Sequence, residues 1–307
     1  MRSLLAILLI LASAVSVTAE ERTWLGKSRL FTNDKLGDGQ DRWRTGSYSL
    51  SFIRGTGWNG SAPSEFGALV EYRVRSEIIA PANLMNPAAI PPDRRYVGAI
   101  SLGAVTHMQT GSTDVSLGLD LVVTGPQTGL GAFQSWAHNA LGMGTPTVLG
   151  SQIGNAVYPT FSAEIARDFQ VSADGARRIS FRPFLETQVG VETYARIGGD
   201  VTFGNAGLGD FQVRDNPTGH RSIAIKGDRP RGTSFLLGGD VAWVQSSQYL
   251  PASSGYSVEV PRVRMRAGVY HEAKTASLFY GLTWLGKEFV NQPEGQVVGS
   301  FSVRMKF

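Results

Sequence analysis

A run of oxygen-bearing side chains lies between two stretches of alternating polar and apolar residues near the start of the chain. The segment LFTNDKLGDGQDRWRTGSYSLSF, residues 30–52, holds Asn33, Asp34, Asp38, Asp41 and Thr45. Carboxylate, amide and hydroxyl oxygens are ligands of hard cations such as calcium, although the spacing is not that of an EF-hand loop. Two interpretations are open: a cation site, or a solvated turn, which is the commoner origin of such a segment.

A histidine supplies the second candidate group. His138 follows Gln134 by four residues in GLGAFQSWAHNALGMG, a spacing that places both side chains on one side of a helix. An imidazole titrates near neutral pH and suits a general base, whereas a lone histidine is more often a polar residue on a helix flank. The remaining histidines, His107, His220 and His271, lie at a strand end, in a polar loop and in a strand, and have less context.

Several other chemistries are excluded. The chain has no Gly-x-Ser-x-Gly elbow of a serine hydrolase, and His271 in HEAK lacks the second histidine of a zinc helix. It has no cysteine, so disulfides and thiolate metal sites are impossible. The net charge of +4 is modest and spread along the chain, so no nucleic-acid partner is expected.

The segments that would position these groups have the pattern of β-strands. At the C-terminus, apolar Phe301, Val303, Met305 and Phe307 alternate with polar Ser300, Ser302, Arg304 and Lys306. Period two gives one apolar face, which meets a core in a soluble protein and lipid in a membrane barrel. Twelve candidate strands occur, at residues 23–32, 46–54, 65–79, 95–108, 112–124, 159–170, 178–193, 196–205, 234–245, 257–272, 275–289 and 296–307.

The start of the chain has the layout of a secretory signal peptide. Arg2 precedes an apolar core from Leu4 to Ala12, and cleavage is predicted after Ala19, which makes residues 1–19 the signal peptide. Residues 20–307 form a single domain, since no linker divides them. Export, abundant glycine and only 18% charged residues indicate a bacterial outer-membrane protein. The predicted fold is all-β, a transmembrane antiparallel β-barrel of twelve strands, an even number as such barrels require.

One segment departs from the strand pattern. A helical period connects Phe133, Trp136, Ala137, Ala140 and Leu141. It predicts a helix of about three turns that ends at Gly142 and Gly144. In a barrel such a helix belongs to an extracellular loop, packed on the rim or over the lumen. The Pro-rich or polar connections 81–95 and 204–232 are also expected on the outer side.

Two blocks of the chain, in register, resemble the outer-membrane lipid A 3'-O-deacylase family (LpxR type). The first has Asn33-Asp34, Asp41-Arg42 and Thr45-Gly46, and the second has Gly125-Pro126, Gln134 to His138, and Gln152-Ile153-Gly154-Asn155. Gly144 stands where some family members carry a glutamate. The terminal Phe307 is similarly typical of outer-membrane proteins, whose assembly machinery recognises the last strand and is therefore an expected partner.

The resemblance implies a calcium-dependent esterase that removes the 3'-linked acyl chains of lipid A, or lipopolysaccharide, in the outer leaflet. In this interpretation His138 activates water, while Asn33, Asp34 and Thr45 form the calcium and oxyanion side. Asp34 and Thr45 are the implied Ca²⁺ ligands, and two roles are open for Asp34: it ligates the ion or it orients the imidazole of His138. Arg42 and Arg44 are candidates for binding the anionic sugar phosphates, or are ordinary lumen and loop charges.

Two other classes of function stay open at this point. An outer-membrane phospholipase would carry a histidine and a serine close in sequence, whereas Asn139 and Ala140 follow His138. A pore or structural barrel without catalysis is the other alternative. Such a barrel would conduct ions in liposomes and would be indifferent to EDTA in every lipid assay.

Overall fold

A computed structural model of the chain describes residues 21–87, 93–174 and 177–305. The predicted signal peptide and Phe307 lie outside these ranges. In chain order the strands are β1 Thr23–Asn33, β2 Trp43–Gly55, β3 Leu69–Ala80, β4 Val97–Thr110, β5 Thr113–Thr124, β6 Ala156–Ala166, β7 Phe169–Asp174, β8 Arg177–Val189, β9 Glu192–Phe203, β10 Phe211–Arg214, β11 Arg221–Ile225, β12 Gly232–Ser247, β13 Arg262–Glu272, β14 Ala276–Leu285 and β15 Gln296–Met305. One α-helix, α1 (Leu130–Ala140), connects β5 to β6.

Twelve of these strands form a closed antiparallel barrel, which confirms the predicted fold. The ring runs through β1 to β6, then β8, β9 and β12 to β15. It closes where β1 pairs with β15, with Phe31 opposite Phe301 and Asn33 opposite Gly299. The short β7 pairs with β8 beyond the part of β8 that pairs with β6. In the described part of the chain, no helix has the length and apolar character needed to cross a bilayer.

The barrel has an apolar exterior and a polar interior. On β5, Leu119 is exposed while the neighbouring Asp120 is buried. On β15, Phe301 and Val303 are exposed and Ser300 is buried, as the alternation at the C-terminus predicted. Because successive side chains of a strand point to opposite faces, this pattern covers the outside of the wall with apolar groups suited to lipid.

Ion pairs fill the interior. Arg264 donates to both carboxylate oxygens of Asp240 at 2.9 and 3.0 Å, and Arg266 binds Asp240 and Asp200. Charges are strongly disfavoured inside a protein unless they are paired, so these partners have to be retained together. The polar faces of the strands therefore hold the wall together through side chains as well as through backbone hydrogen bonds.

The two ends of the barrel differ. We call the end where β1 begins and β15 finishes the terminal end, and the end that carries α1 the helix end. Because consecutive strands are antiparallel, connections that follow odd-numbered strands of the ring lie at the helix end. The 81–95 connection and α1 lie there, and β1 finishes there at Asn33.

The connection from β9 to β12 lies at the terminal end, so its predicted outer position was wrong. It forms a hairpin, β10–β11, that enters the lumen. Ser222 accepts a hydrogen bond from Ser28 of the wall at 2.6 Å, and Arg214 reaches Glu164 and Asp200 at 2.6 and 3.0 Å. The interior is thus occupied by the chain itself.

Candidate active site

The end of β1 and the start of β2 fold a group of oxygen-bearing residues into the helix end of the barrel. Asn33 has an extended backbone and its side-chain oxygen accepts from the backbone N–H of Lys35 at 2.9 Å, which caps a single 3₁₀ turn over Asp34–Leu36. Asparagine is well suited to this capping position. The turn directs Asp34 inward, where the side chain is fully buried.

Asp34 is held from two sides. The backbone N–H of Arg42 donates to its Oδ2 at 2.8 Å, and Thr45 Oγ1 lies 3.2 Å from its Oδ1. The same hydroxyl is closer to Asp41, at 2.7 Å from its Oδ1. A hydroxyl has only one proton to donate, and the shorter distance indicates that Thr45 donates it to Asp41. A lone pair of the Thr45 oxygen then faces Asp34 Oδ1.

The protonation of Asp34 reflects this environment. Burial raises the pKa of its carboxyl to about 7, helped by the negative charges of Asp41 and Asp38, while the hydrogen bond from the backbone N–H of Arg42 acts in the opposite direction. A carboxylate in this position needs a proton or a cation beside it. The turn between β1 and β2 is therefore more than a solvated loop.

His138 completes the arrangement from the opposite side. The imidazole Nε2 lies 3.0 Å from Asp41 Oδ2, and the imidazole Nδ1 lies 3.2 Å from the carbonyl oxygen of Gly144. The side-chain nitrogen of Gln134 lies 3.5 Å from the imidazole Nε2. The predicted residues His138, Asp34 and Thr45 are thus connected, but through Asp41. Asp41 was visible in the sequence as part of an Asp-Arg pair, although nothing there indicated that it faces the imidazole.

The helix buries its polar face and exposes its apolar one. Its buried residues are Gly131, Gln134 and His138, whereas Phe133 and Trp136 are exposed. The helix was predicted correctly, but the apolar stripe does not pack on the protein. Gly131 lies against Leu149, where a Cβ would come within 3.1 Å of the leucine side chain. This close approach holds the histidine face toward the barrel.

The arginines proposed to bind phosphate occupy different environments. The guanidinium of Arg42 lies 2.8 Å from the exposed carboxylate of Glu294 and stacks over the ring of Trp43 at 4.2 Å. Arg44 points into the lumen, where Glu288 accepts at 2.8 Å and Glu77 and Glu192 lie alongside. Arg42 is therefore at the mouth of the barrel, and Arg44 belongs to the interior network.

One further polar group near the site was not anticipated from the sequence. Tyr96, just before β4, is fully buried, and its hydroxyl has no hydrogen-bond partner among the residues that the structure describes. Burial, together with the charge of Asp41, raises the pKa of its phenol. A buried tyrosine hydroxyl normally finds a partner, so Tyr96 is a donor available to a bound molecule. Gln134 Oε1 is likewise buried without a partner.

The donors fit a calcium ion in their chemistry, though not as a cluster of acids. Within the described ranges, no group of three or more histidine, cysteine, aspartate or glutamate side chains could hold a metal. Two carboxylates, Asp34 and Asp41, meet at the hydroxyl of Thr45 instead. Calcium accepts such mixed oxygen sets, including hydroxyl and backbone oxygens. The complete burial of Asp34 beside a second carboxylate is the observation that favours a cation there.

Comparisons with known proteins identify the family and the fold of the chain. A family model described as "Outer membrane protein LpxR" matches residues 4–307. The structure of LpxR from Salmonella typhimurium superposes with a TM-score of 0.76 at 16% identity, covering 92% of this chain and 100% of that one. The β domain of the Bordetella autotransporter BrkA gives a TM-score of 0.42 at 12% identity, covering 92% and 99%. No curated protein matches the sequence.

Proposed function

Because the chain belongs to the LpxR family of outer membrane proteins, we propose that it hydrolyses the 3'-linked acyl esters of lipid A in the outer leaflet. Family membership and the barrel fold indicate an outer-membrane location. The observation that carries the proposal is the contact between His138 and Asp41, 3.0 Å apart, beside the buried Asp34. A base with a carboxylate partner can activate water, and a cation held beside it can stabilise the oxyanion that forms when water attacks an ester.

His138 is the proposed general base. Both ring nitrogens face oxygen acceptors: Nε2 faces Asp41 and Nδ1 faces the Gly144 carbonyl. In the neutral ring the proton stays on Nε2 and is donated to Asp41, because a carboxylate is a stronger acceptor than the Gly144 carbonyl. Nδ1 is then the basic nitrogen, and the Gly144 carbonyl must give way to the water that reacts.

Asp41 has two effects on this base. By accepting the Nε2 proton it fixes the tautomer and the orientation of the ring, and its charge stabilises the imidazolium that forms. Thr45 holds Asp41 in place through its 2.7 Å hydrogen bond. The residue therefore positions His138 rather than reacting itself.

Asp34 and Thr45, with Asn33 beside them, are the residues proposed to hold calcium. When bound, the ion would polarise the ester carbonyl and stabilise the oxyanion. Tyr96 is a further candidate donor to the oxyanion, because its buried hydroxyl has no hydrogen-bond partner within the described ranges. The site thus combines a base on α1 with electrophilic groups on the wall.

Binding of the anionic headgroup is assigned to Arg42 in preference to Arg44. Arg42 is paired with Glu294, whose side chain is 62% exposed, so the pair is accessible and easily exchanged for a phosphate. Arg44 is surrounded by three glutamates inside the barrel, and removing it from them would leave buried charges unpaired. Its role is therefore proposed to be structural.

Mass spectrometry of lipid A tests the proposal. Cells that produce the protein should contain lipid A without its 3'-linked acyl chains, and cells with His138→Ala should not. His271→Ala is the matched control, because His271 is exposed on β13 at the terminal end and contacts Thr233. Chelation of calcium should reduce the conversion by the unaltered protein. Continued loss of the acyl chains with His138→Ala would refute the assignment of the base.

A further inference from the structure

The exposed face of α1 is apolar, which is unusual for a helix at the mouth of a barrel. Phe133, Trp136 and Leu141 are 55%, 65% and 73% exposed, and Met143 is 40% exposed. The rings of Phe133 and Trp136 lie together, with centroids 5.8 Å apart. The opposite face, with Gln134 and His138, is buried. The apolar side chains therefore form a continuous patch directed away from the protein.

The segment that carries this patch has no charged side chain. From Gly125 to Asn155 the chain has no lysine, arginine, aspartate or glutamate, although these make up 18% of the whole sequence. Connections that face water at a barrel mouth are rich in such residues, as the β14–β15 connection is here with the exposed Lys287 and Glu294. An uncharged segment with exposed aromatic rings is suited to contact with acyl chains and with the interface above them.

The helix that carries the patch also lies close to the wall of the barrel, whose outer face is apolar. The helix begins six residues after β5 ends at Thr124 and is followed by β6, whose Val157 and Phe161 are 55% and 58% exposed on the outer face. Phe133 and Trp136 are exposed to the same extent as these lipid-facing residues. Leu130 packs against Gly98 at the top of β4, which keeps the helix close to the wall.

From these observations we infer that α1 is seated in the outer leaflet, with Phe133, Trp136 and Leu141 in contact with the acyl chains of membrane lipid. Amphipathic helices at an interface usually direct a charged face to water. Here the polar face is turned to the protein and carries the proposed base, so the helix forms a wall between the leaflet and the site. An ester in the leaflet could then reach His138 by passing the edge of the helix, without leaving the membrane.

Site-directed spin labelling tests the seating directly, because the chain has no cysteine of its own. Trp136→Cys, Leu119→Cys and Lys287→Cys are labelled with a nitroxide and reconstituted in phosphatidylcholine vesicles. Leu119 is exposed on the outer face of β5, and Lys287 is an exposed residue in the β14–β15 connection. Accessibility to oxygen, which concentrates in lipid, is compared with accessibility to a water-soluble nickel chelate.

The label at position 136 should resemble the label at 119, with an oxygen-to-nickel ratio several-fold above that at 287. A ratio equal to that at 287 would place the patch in water and overturn the inference. Dipolar broadening between labels at 136 would also overturn it, because the patch would then be covered by a second copy of the chain. This measurement does not depend on any enzymatic activity.

A second measurement tests whether the patch helps the site to reach membrane substrate. Of the two measurements, this is the one that rests on the proposed hydrolysis. Phe133→Ser with Trp136→Ser should lower the hydrolysis of lipid A embedded in vesicles several-fold, and leave hydrolysis in detergent micelles unchanged. An equal loss in both settings would contradict the role of the patch in reaching membrane substrate. If the unaltered protein hydrolyses neither form, the proposed function fails while the labelling result stands.

Discussion

The imidazole of His138 and the carboxylate of Asp41 lie 3.0 Å apart, although one belongs to a helix after β5 and the other to the turn after β1. Thr45 donates to that carboxylate and also touches Asp34. Two distant parts of the chain thus share a single polar network. The chemistry of the site depends on how the barrel brings them together.

Replacement of Asp41 by asparagine should lower kcat by about 10²- to 10⁴-fold, with little change in KM. The amide still accepts a hydrogen bond, but it offers no charge to stabilise the imidazolium. Steady-state kinetics with a detergent-dispersed lipid A separate the two constants. An unchanged kcat would show that Asp41 has no part in orienting the base.

The stability of the calcium-free protein should fall as the pH rises through about 7. Folding raises the pKa of Asp34 to about 7 from its ordinary value near 4, so the folded state binds this proton more tightly than the unfolded state. The resulting stabilisation is complete below about pH 4 and is lost as the folded carboxyl ionises. Added calcium should remove the loss, since a cation favours the charged form.

Thermal unfolding in detergent between pH 5 and 8 measures this effect. Asp34→Asn is the matched variant, because it keeps the size of the side chain but has no proton to lose. As the pH rises, the unaltered protein should lose stability relative to Asp34→Asn. A difference that stays constant across the range would contradict the prediction.

Arg44→Gln should destabilise the barrel by about 3–5 kcal/mol, because Glu77, Glu192 and Glu288 would lose their shared partner in the interior. Arg42→Gln should cost about 0–1 kcal/mol, since its partner Glu294 is exposed. The stabilities of the two variants are compared by the temperature at which the band of the folded barrel disappears in gel electrophoresis. If Arg44→Gln instead left stability intact and weakened substrate binding, the sequence-based assignment of Arg44 to the substrate would be restored.

Gly26→Ala should loosen the hairpin inside the lumen. A Cβ at this position of β1 would press against the carbonyl oxygen of Ala224 in β11, which is backbone and cannot move aside as a side chain could. Limited proteolysis should then cut within residues 204–231 more readily. Gly57→Ala is the control, since a Cβ there meets nothing within 4 Å. Equal cleavage in both variants would rule out the close packing of β1 on the hairpin.

Periodicity predicted the wall of the barrel well and the helix only in part. The alternation at Phe301 and Val303 is a local property of a strand, and it holds in lipid as in water. For α1 the same reasoning gave the helical period but did not say which face of the helix would be buried. A pattern reports which residues share a face and not what that face meets, so the period alone did not show that Trp136 would be exposed.

The hairpin in the lumen was missed for a different reason. Strand counting would have placed the 204–232 connection at the terminal end, because it follows an even number of strands. Composition suggested an outer loop instead, since short strands among Gly and Pro resemble one. The pairing of Asp41 with His138 could not be predicted, because it depends on the closed barrel and not on any local sequence pattern.

The hairpin β10–β11 has a consequence for the cell as well as for the fold. An outer membrane protects the cell only while its proteins admit few unwanted solutes, and a twelve-stranded wall encloses space that would otherwise be open. Here Arg214, Ser222 and their partners on the wall occupy that space from the terminal end. A barrel filled in this way leaves less open space for solutes to cross than an empty barrel of the same size, and the proposed site at the other mouth is separate from the hairpin that fills it.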